Sequence, residues 1–152
     1  MANVYLGGAN MAVKQISVFV ENKQGRLLKV TQCLAEHGVN IHALSAADTA
    51  DFGILRLIVD KAEVAQQALK EAGFTVIINE VLVIKVADRP GGLNEALQVL
   101  TADGCNVDYI YAFYNSDQAT ALNIIKVDDM EKAAAALQKA GVMLLENKDF
   151  CC

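Results

Sequence analysis

Two stretches, Val20-Glu21-Asn22-Lys23-Gln24-Gly25-Arg26-Leu27 and Val86-Ala87-Asp88-Arg89-Pro90-Gly91-Gly92-Leu93, decide the fold once they are aligned. Apolar falls on apolar and glycine on glycine at an offset of 66 residues; the same offset carries Leu34 onto Leu100, Gly38 onto Gly104, Asn40 onto Asn106 and Ile41 onto Val107. Further along the offset becomes 68. Asp60 then falls on Asp128, Glu63 on Glu131, Leu69 on Leu137 and Gly73 on Gly141, which assigns the two extra residues to the turn Tyr114 to Ala119. Self-similarity over nearly the whole chain means two copies of one small unit, a choice that length alone does not make.

Each copy carries the same elements. Leu27, Val30, Thr31 and Leu34 stand at i, i+3, i+4 and i+7, and Leu93, Ala96, Leu97 and Leu100 repeat that spacing, so both stretches predict amphipathic helices. Ala65, Ala68, Leu69 and Ala72, echoed by Ala133, Ala136, Leu137 and Ala140, predict a second helix per copy. Asp60 with Glu63, and Asp128 with Glu131, have capping-box spacing at its start, and Gly73 and Gly141 stop it. Strands are expected at 16–20, 40–47, 53–59 and 74–78, and again at 82–87, 106–114, 120–127 and 142–146.

The order strand, helix, strand, strand, helix, strand is ferredoxin-like βαββαβ, an α+β fold with two helices on one face of an antiparallel four-stranded sheet. Expected domains are 14–80 and 81–148, preceded at 1–13 by an arm or by an alternative start at Met11. The open sheet face includes Phe19, Val83, Ile54 or Leu55, and several of Tyr109, Tyr111 and Phe113. An apolar face of that size predicts packing of one copy on the other and a homodimer.

Composition narrows the function classes. Hydrophobic residues make up 54% of the chain and charged residues 20%, enough to build a core. The net charge of -5, with no stripe of Lys and Arg, opposes a nucleic-acid partner. No apolar run approaches the roughly 18 residues of a membrane span, and no leader pattern opens the chain, so no membrane association and a cytoplasmic protein are expected. Cys33, Cys105, Cys151 and Cys152 form no CxxC clip and no disulfide framework; Cys33 and Cys105 read as small buried hydrophobes, and Cys151 with Cys152 as a terminal thiol pair.

The candidate binding residues recur in both copies. Asn22, Gly25, Arg26 and Leu27, with Asp88, Gly91, Gly92 and Leu93, form the turn from first strand into first helix. The unpaired amides and positive end of a helix there suit a carboxylate, and glycine admits a ligand close to the backbone. Asn22 or Asp88 suits the ammonium group of the same molecule. Asn40 and Asn106 follow the helix, and an amide side chain can hold either end of a zwitterion. Each residue also has a purely structural reading, a turn glycine or a helix-capping Asn.

Asp88-x-Pro90-Gly91-x-Leu93 followed by Gly104-x-Asn106-Val107 resembles the ACT domain, a small regulatory module of metabolic enzymes and regulators. Asn22-x-x-Gly25-x-Leu27 with Gly38-x-Asn40-Ile41 is similar, lacking the proline and carrying Asn for Asp. The resemblance covers residues 15 to 147 and its nearest form is a stand-alone tandem of two ACT domains. It implies a ligand, an amino acid or similar small zwitterion, held between ACT domains by the first loop of one copy and the second strand of another. Carried over, the contacts are Asn22, Gly25, Arg26, Leu27, Asn40 and Ile41, and Asp88, Gly91, Gly92, Leu93, Asn106 and Val107. His42, matched by Asp108, lies beside them as a candidate selector of the ligand side chain.

No enzyme is expected, and no catalytic residue, cofactor or metal site is assigned. The chain has two histidines, His37 and His42, no HxxxH or CxxC spacing and no GxxxxGK[ST] loop. Arg26 and Arg89 superficially suit an acylphosphatase, and Tyr109, Tyr111 and Phe113 an RNA-binding sheet, but the acidic balance opposes the latter. The alternative of weight is a ligand-free interaction or dimerisation module docking on a metabolic enzyme or regulator.

Overall fold

The computed structural model describes residues 5–6, 9–48, 51–113 and 117–149. In chain order these form β1 (Tyr5–Leu6), β2 (Ala9–Asn10), β3 (Val13–Glu21), α1 (Arg26–Glu36), β4 (Ile41–Asp48), β5 (Phe52–Val59), α2 (Ala62–Glu71), β6 (Thr75–Ala87), α3 (Gly92–Ala102), β7 (Val107–Phe113), β8 (Thr120–Val127), α4 (Met130–Lys139), β9 (Met143–Leu144) and a final 3-10 turn, Asn147–Asp149. Two compact units result: a first of Lys14–Asn79, and a second of Glu80–Asp149 with the described residues up to Val13.

In the first unit the strand order is β4-β5-β3-β6, and in the second β7-β8-β6-β9. Both are the ferredoxin-like order expected of the repeat. Alternation explains the faces: Ile16 and Val18 on β3, with Leu55, Leu57 and Val59 on β5, pack against Val30 and Leu34 of α1 and Ala65 and Leu69 of α2. Leu82, Ile84 and Val86 on β6 and Ile125 and Val127 on β8 do the same against Ala96, Leu100, Ala133 and Leu137. Cys33 and Cys105 are buried free thiols, and burial pushes the pKa of each up, which suits small hydrophobes rather than reactive groups.

Several expectations change. β6 runs unbroken for 13 residues where two strands were expected, because Thr75 to Ala87 holds neither Gly nor Pro and is rich in β-branched residues. Asn79 in its middle accepts a hydrogen bond from Ser17 Oγ at 2.9 Å. Leu55 faces the helices rather than the open side, while Val83 on the other side is buried. Leu27 is 49% exposed, so Cys33 and not Leu27 completes the buried stripe of α1. Of residues 1–10, β1 and β2 pair as a short antiparallel ladder, and Met11 and Ala12 lie in the core of the second unit; the remainder, like Cys151, Cys152 and residues 114–116 of the inserted turn, lies outside the described residues.

The capping boxes are also replaced. α2 starts after Lys61 with no side-chain cap, and α4 is capped by Asp129, whose carboxylate accepts from Lys132 N at 3.0 Å. Asp60 and Asp128 stand one residue too early to cap. Each instead clamps the start of a strand: Asp60 Oδ1 accepts from Asn40 N at 2.9 Å while Asp60 N donates to Asn40 O at 3.2 Å. Asp128 and Asn106 repeat the pair at 2.9 and 3.1 Å. Among the described residues no helix is long and apolar enough to cross a membrane.

The clamp predicts that Asp60→Ala lowers the unfolding free energy by about 1 kcal/mol, the worth of one partly exposed hydrogen bond. Asp60→Asn, which keeps the acceptor oxygen, should lose less. Urea denaturation of the full chain reads both.

Candidate functional site

The turn between β3 and α1 is built on Gly25, whose φ of 82° is left-handed, and Gly91 repeats it at 87°. Around Gly25 the protein supplies few internal acceptors. Arg26 N donates to Lys23 O at 3.3 Å and Lys29 N to Gly25 O at 3.0 Å, closing the turn and the first helical bond. The amides of Leu27 and Leu28 have no backbone acceptor among the described residues, as the start of a helix dictates.

Beside this turn lies a cleft of about 360 Å³ in the first unit. Glu21, Lys23 and Arg26 bring charge to it, with Asn22 beside them, and Val20, Leu27, Ala46, Ala47, Ile54 and Leu55 form an apolar wall over Gly53. The hairpin contributes because register places Val20 opposite Gly53, and Ala47 opposite Ile54. Glu21 Oε2 is 2.9 Å from Lys23 Nζ and 3.6 Å from Arg26 NH2. The Lys23 hydrogen bond first, then the charges of Lys23 and Arg26, hold the Glu21 carboxyl below the usual glutamate range. The Arg26 guanidinium lies 5.8 Å from the centroid of the Phe74 ring, which fixes its position.

The sequence-assigned residues separate into two groups within each unit. Asn22, Arg26 and Leu27 line the cleft, whereas Gly25 forms the turn before α1 without lining it. Asn40, Ile41 and His42 stand at the far end of α1, 11 residues or about 16 Å along the helix. There the Asn40 backbone is engaged by Asp60, Ile41 packs against the core, and His42 occupies a β-bulge between Ile41 and Ala43. In the second unit Asn106 is clamped by Asp128 and its side chain donates to Asp108 at 3.1 Å; Val107 and Leu93 pack against the core. Asp108 sits in the matching bulge.

Asp88 N donates to Ala119 O, and Gly92 N to Arg89 O, both at 3.0 Å. Gly92 is buried, and a Cβ there would stand 2.0 Å from Ala87 O. Its glycine is a matter of close packing, not of ligand approach. Sequence reasoning missed Glu21, Lys23, Ala46, Ala47, Gly53 and Ile54. The charge pattern Glu21, Lys23, Arg26 is visible in sequence, whereas the hairpin residues reach the cleft only through strand register. Among the described residues no group of three or more His, Cys, Asp or Glu is placed to hold a metal.

The family described as ACT domain pair matches residues 11–152. Protein BT0572 from Bacteroides thetaiotaomicron is 41% identical, with 92% of this chain and 96% of that chain covered and a TM-score of 0.87. The ligand-free regulatory subunit of aspartate kinase from Thermus thermophilus is 21% identical over 84% of this chain and 90% of its own, with a TM-score of 0.65. The corresponding subunit from Thermus flavus is 20% identical over 87% and 94%, with a TM-score of 0.62. With these two the likeness is one of fold. No curated protein matches the chain.

Two outcomes follow from the site geometry. Gly25→Ala meets no atom within 4 Å but keeps a left-handed backbone, so a loss of about 1 kcal/mol is expected, whereas Gly92→Ala should cost about 3 kcal/mol by overpacking; urea midpoints compare them. Because the Glu21 carboxyl is lowered, its ion pair stabilises above the ordinary glutamate pKa and is lost as pH falls through the lowered one. Lys23→Ala should therefore raise the Glu21 titration midpoint followed by NMR of its side-chain carboxyl.

Proposed function

The chain belongs to the ACT domain pair family, and from that premise we propose that it is a non-enzymatic regulatory protein binding a free amino acid or similar small zwitterion at the start of α1. The observation that carries this reading is the cleft, where a carboxylate, Glu21, and a cation, Arg26, stand 3.6 Å apart beside unpaired helix amides. A ligand carboxylate placed there meets Arg26 and the positive end of the helix. Its ammonium group meets Glu21, a carboxylate with acceptor capacity beyond its Lys23 bond.

The regulatory subunits of aspartate kinase that share the fold support a role in which ligand occupancy acts on a metabolic enzyme or regulator. Such coupling is reciprocal: the partner changes ligand affinity by the factor by which ligand changes partner affinity.

A calorimetric and thermal-shift panel of the twenty amino acids against the full chain tests this. An amino acid at a hundred times its Kd stabilises the folded protein by roughly 2.7 kcal/mol, and Arg26→Ala should weaken its binding by about tenfold or more through loss of a charge-assisted contact. A flat response to all twenty contradicts the reading and favours a ligand-free docking module.

A further inference from the structure

The two repeats keep the same backbone but not the same chemistry. At the offset of 66 that aligns Gly25 with Gly91, Glu21 corresponds to Ala87, Arg26 to Gly92 and Ala47 to Phe113; at the offset of 68, Gly53 corresponds to Ala121. The strand pairings confirm these matches. Val20 pairs with Gly53 as Val86 pairs with Ala121, and Ala47 pairs with Ile54 as Phe113 pairs with Leu122. The second repeat therefore has no counterpart of Glu21 or Arg26, its charges standing instead at Asp88 and Arg89 where the first repeat has Asn22 and Lys23, and it carries larger residues where the first has Ala47 and Gly53.

The backbone follows suit. Gly92 brings the start of α3 against the Ala87 carbonyl, an approach closed to any residue with a Cβ. Arg26, at the matching position, has one and lines the cleft of the first repeat. Leu93 turns onto the core, while Leu27 stays 49% exposed at the cleft. Arg89, the counterpart of Lys23, is committed to Glu95 at 2.7 Å and to Pro90 O at 3.3 Å.

Resting on the reading of the previous subsection, we infer that the first repeat alone holds the ligand, one zwitterion with an aliphatic side chain per chain. The side-chain class follows from the wall. The polar lining residues Asn22 and Lys23 belong to the loop with Glu21 and Arg26, whereas Val20, Leu27, Ala46, Ala47 and Ile54 offer no side-chain donor or acceptor, so a polar ligand side chain lying on that wall would be dehydrated without a partner. An aliphatic one covers the exposed face of Leu27 instead. Small Ala46, Ala47 and Gly53 leave the depth it occupies.

Isothermal titration of the full chain with L-leucine, L-valine, glycine, L-aspartate and L-lysine reads stoichiometry and class together. Leucine or valine should bind with one equivalent per chain and at least about tenfold more tightly than the other three. Ala47→Phe and Glu21→Ala, each installing the second repeat's residue, should each weaken that binding at least about tenfold with the urea midpoint retained; Arg89→Ala should leave it unchanged. Two equivalents per chain, tighter binding of aspartate or lysine, or binding indifferent to both first-repeat variants overturns the inference while leaving a zwitterion sensor standing. No binding of any amino acid overturns the function itself.

Discussion

How closely a helix can start against the end of the strand before it sets the packing at the first turn of each repeat. At Gly92 the missing Cβ allows contact with the Ala87 carbonyl, where an added Cβ would lie 2.0 Å from the oxygen. At Arg26 the same approach is sterically forbidden. A single atom thus distinguishes the close contact at Gly92 from the turn at Arg26, beside which lies the cleft bounded by Glu21, Arg26 and the β4–β5 hairpin. Ion pairing then keeps the opening charged: Glu21 gathers Lys23 and Arg26, and the Phe74 ring holds the guanidinium from its other side.

Duplication sorts the residues by role. The features that recur are those that make the unit fold. The left-handed glycines Gly25 and Gly91, the clamps Asp60 to Asn40 and Asp128 to Asn106, and the bulges at His42 and Asp108 appear twice with nearly the same geometry. Among the features that differ are the end of the first strand and the hairpin beside it, where Glu21 and Arg26 give way to Ala87 and Gly92, and Ala47 to Phe113.

Much of the architecture was legible because it is written in local periodicity. Alternating residues such as Leu82, Ile84 and Val86, and the i, i+3, i+4 spacing of Ala65, Ala68 and Leu69, name their elements without help from the rest of the chain. Asp60 was misassigned because a carboxylate just ahead of a helix has two uses: it stands two residues before α2, one too early to cap it, and only the fold brings the Asn40 amide within 2.9 Å. The strands expected at 74–78 and 82–87 are joined through Asn79 and Glu80, whose side chain and carbonyl, respectively, accept hydrogen bonds from Ser17 and Lys126. In the site, the turn residues could be named from sequence; the small residues of the hairpin could not, since a position 20 or more residues away reaches the turn only through register.

The backbone amides at the start of α1 offer the most direct test. Two-dimensional ¹H–¹⁵N NMR of the full chain, recorded while L-leucine is added, should shift the amide signals of Leu27, Leu28 and Gly53 progressively to saturation and leave Leu93, Asn94 and Ala121 in place. Shifts centred on Leu93 and Asn94, or spread equally over both repeats, would contradict a ligand site confined to the first repeat.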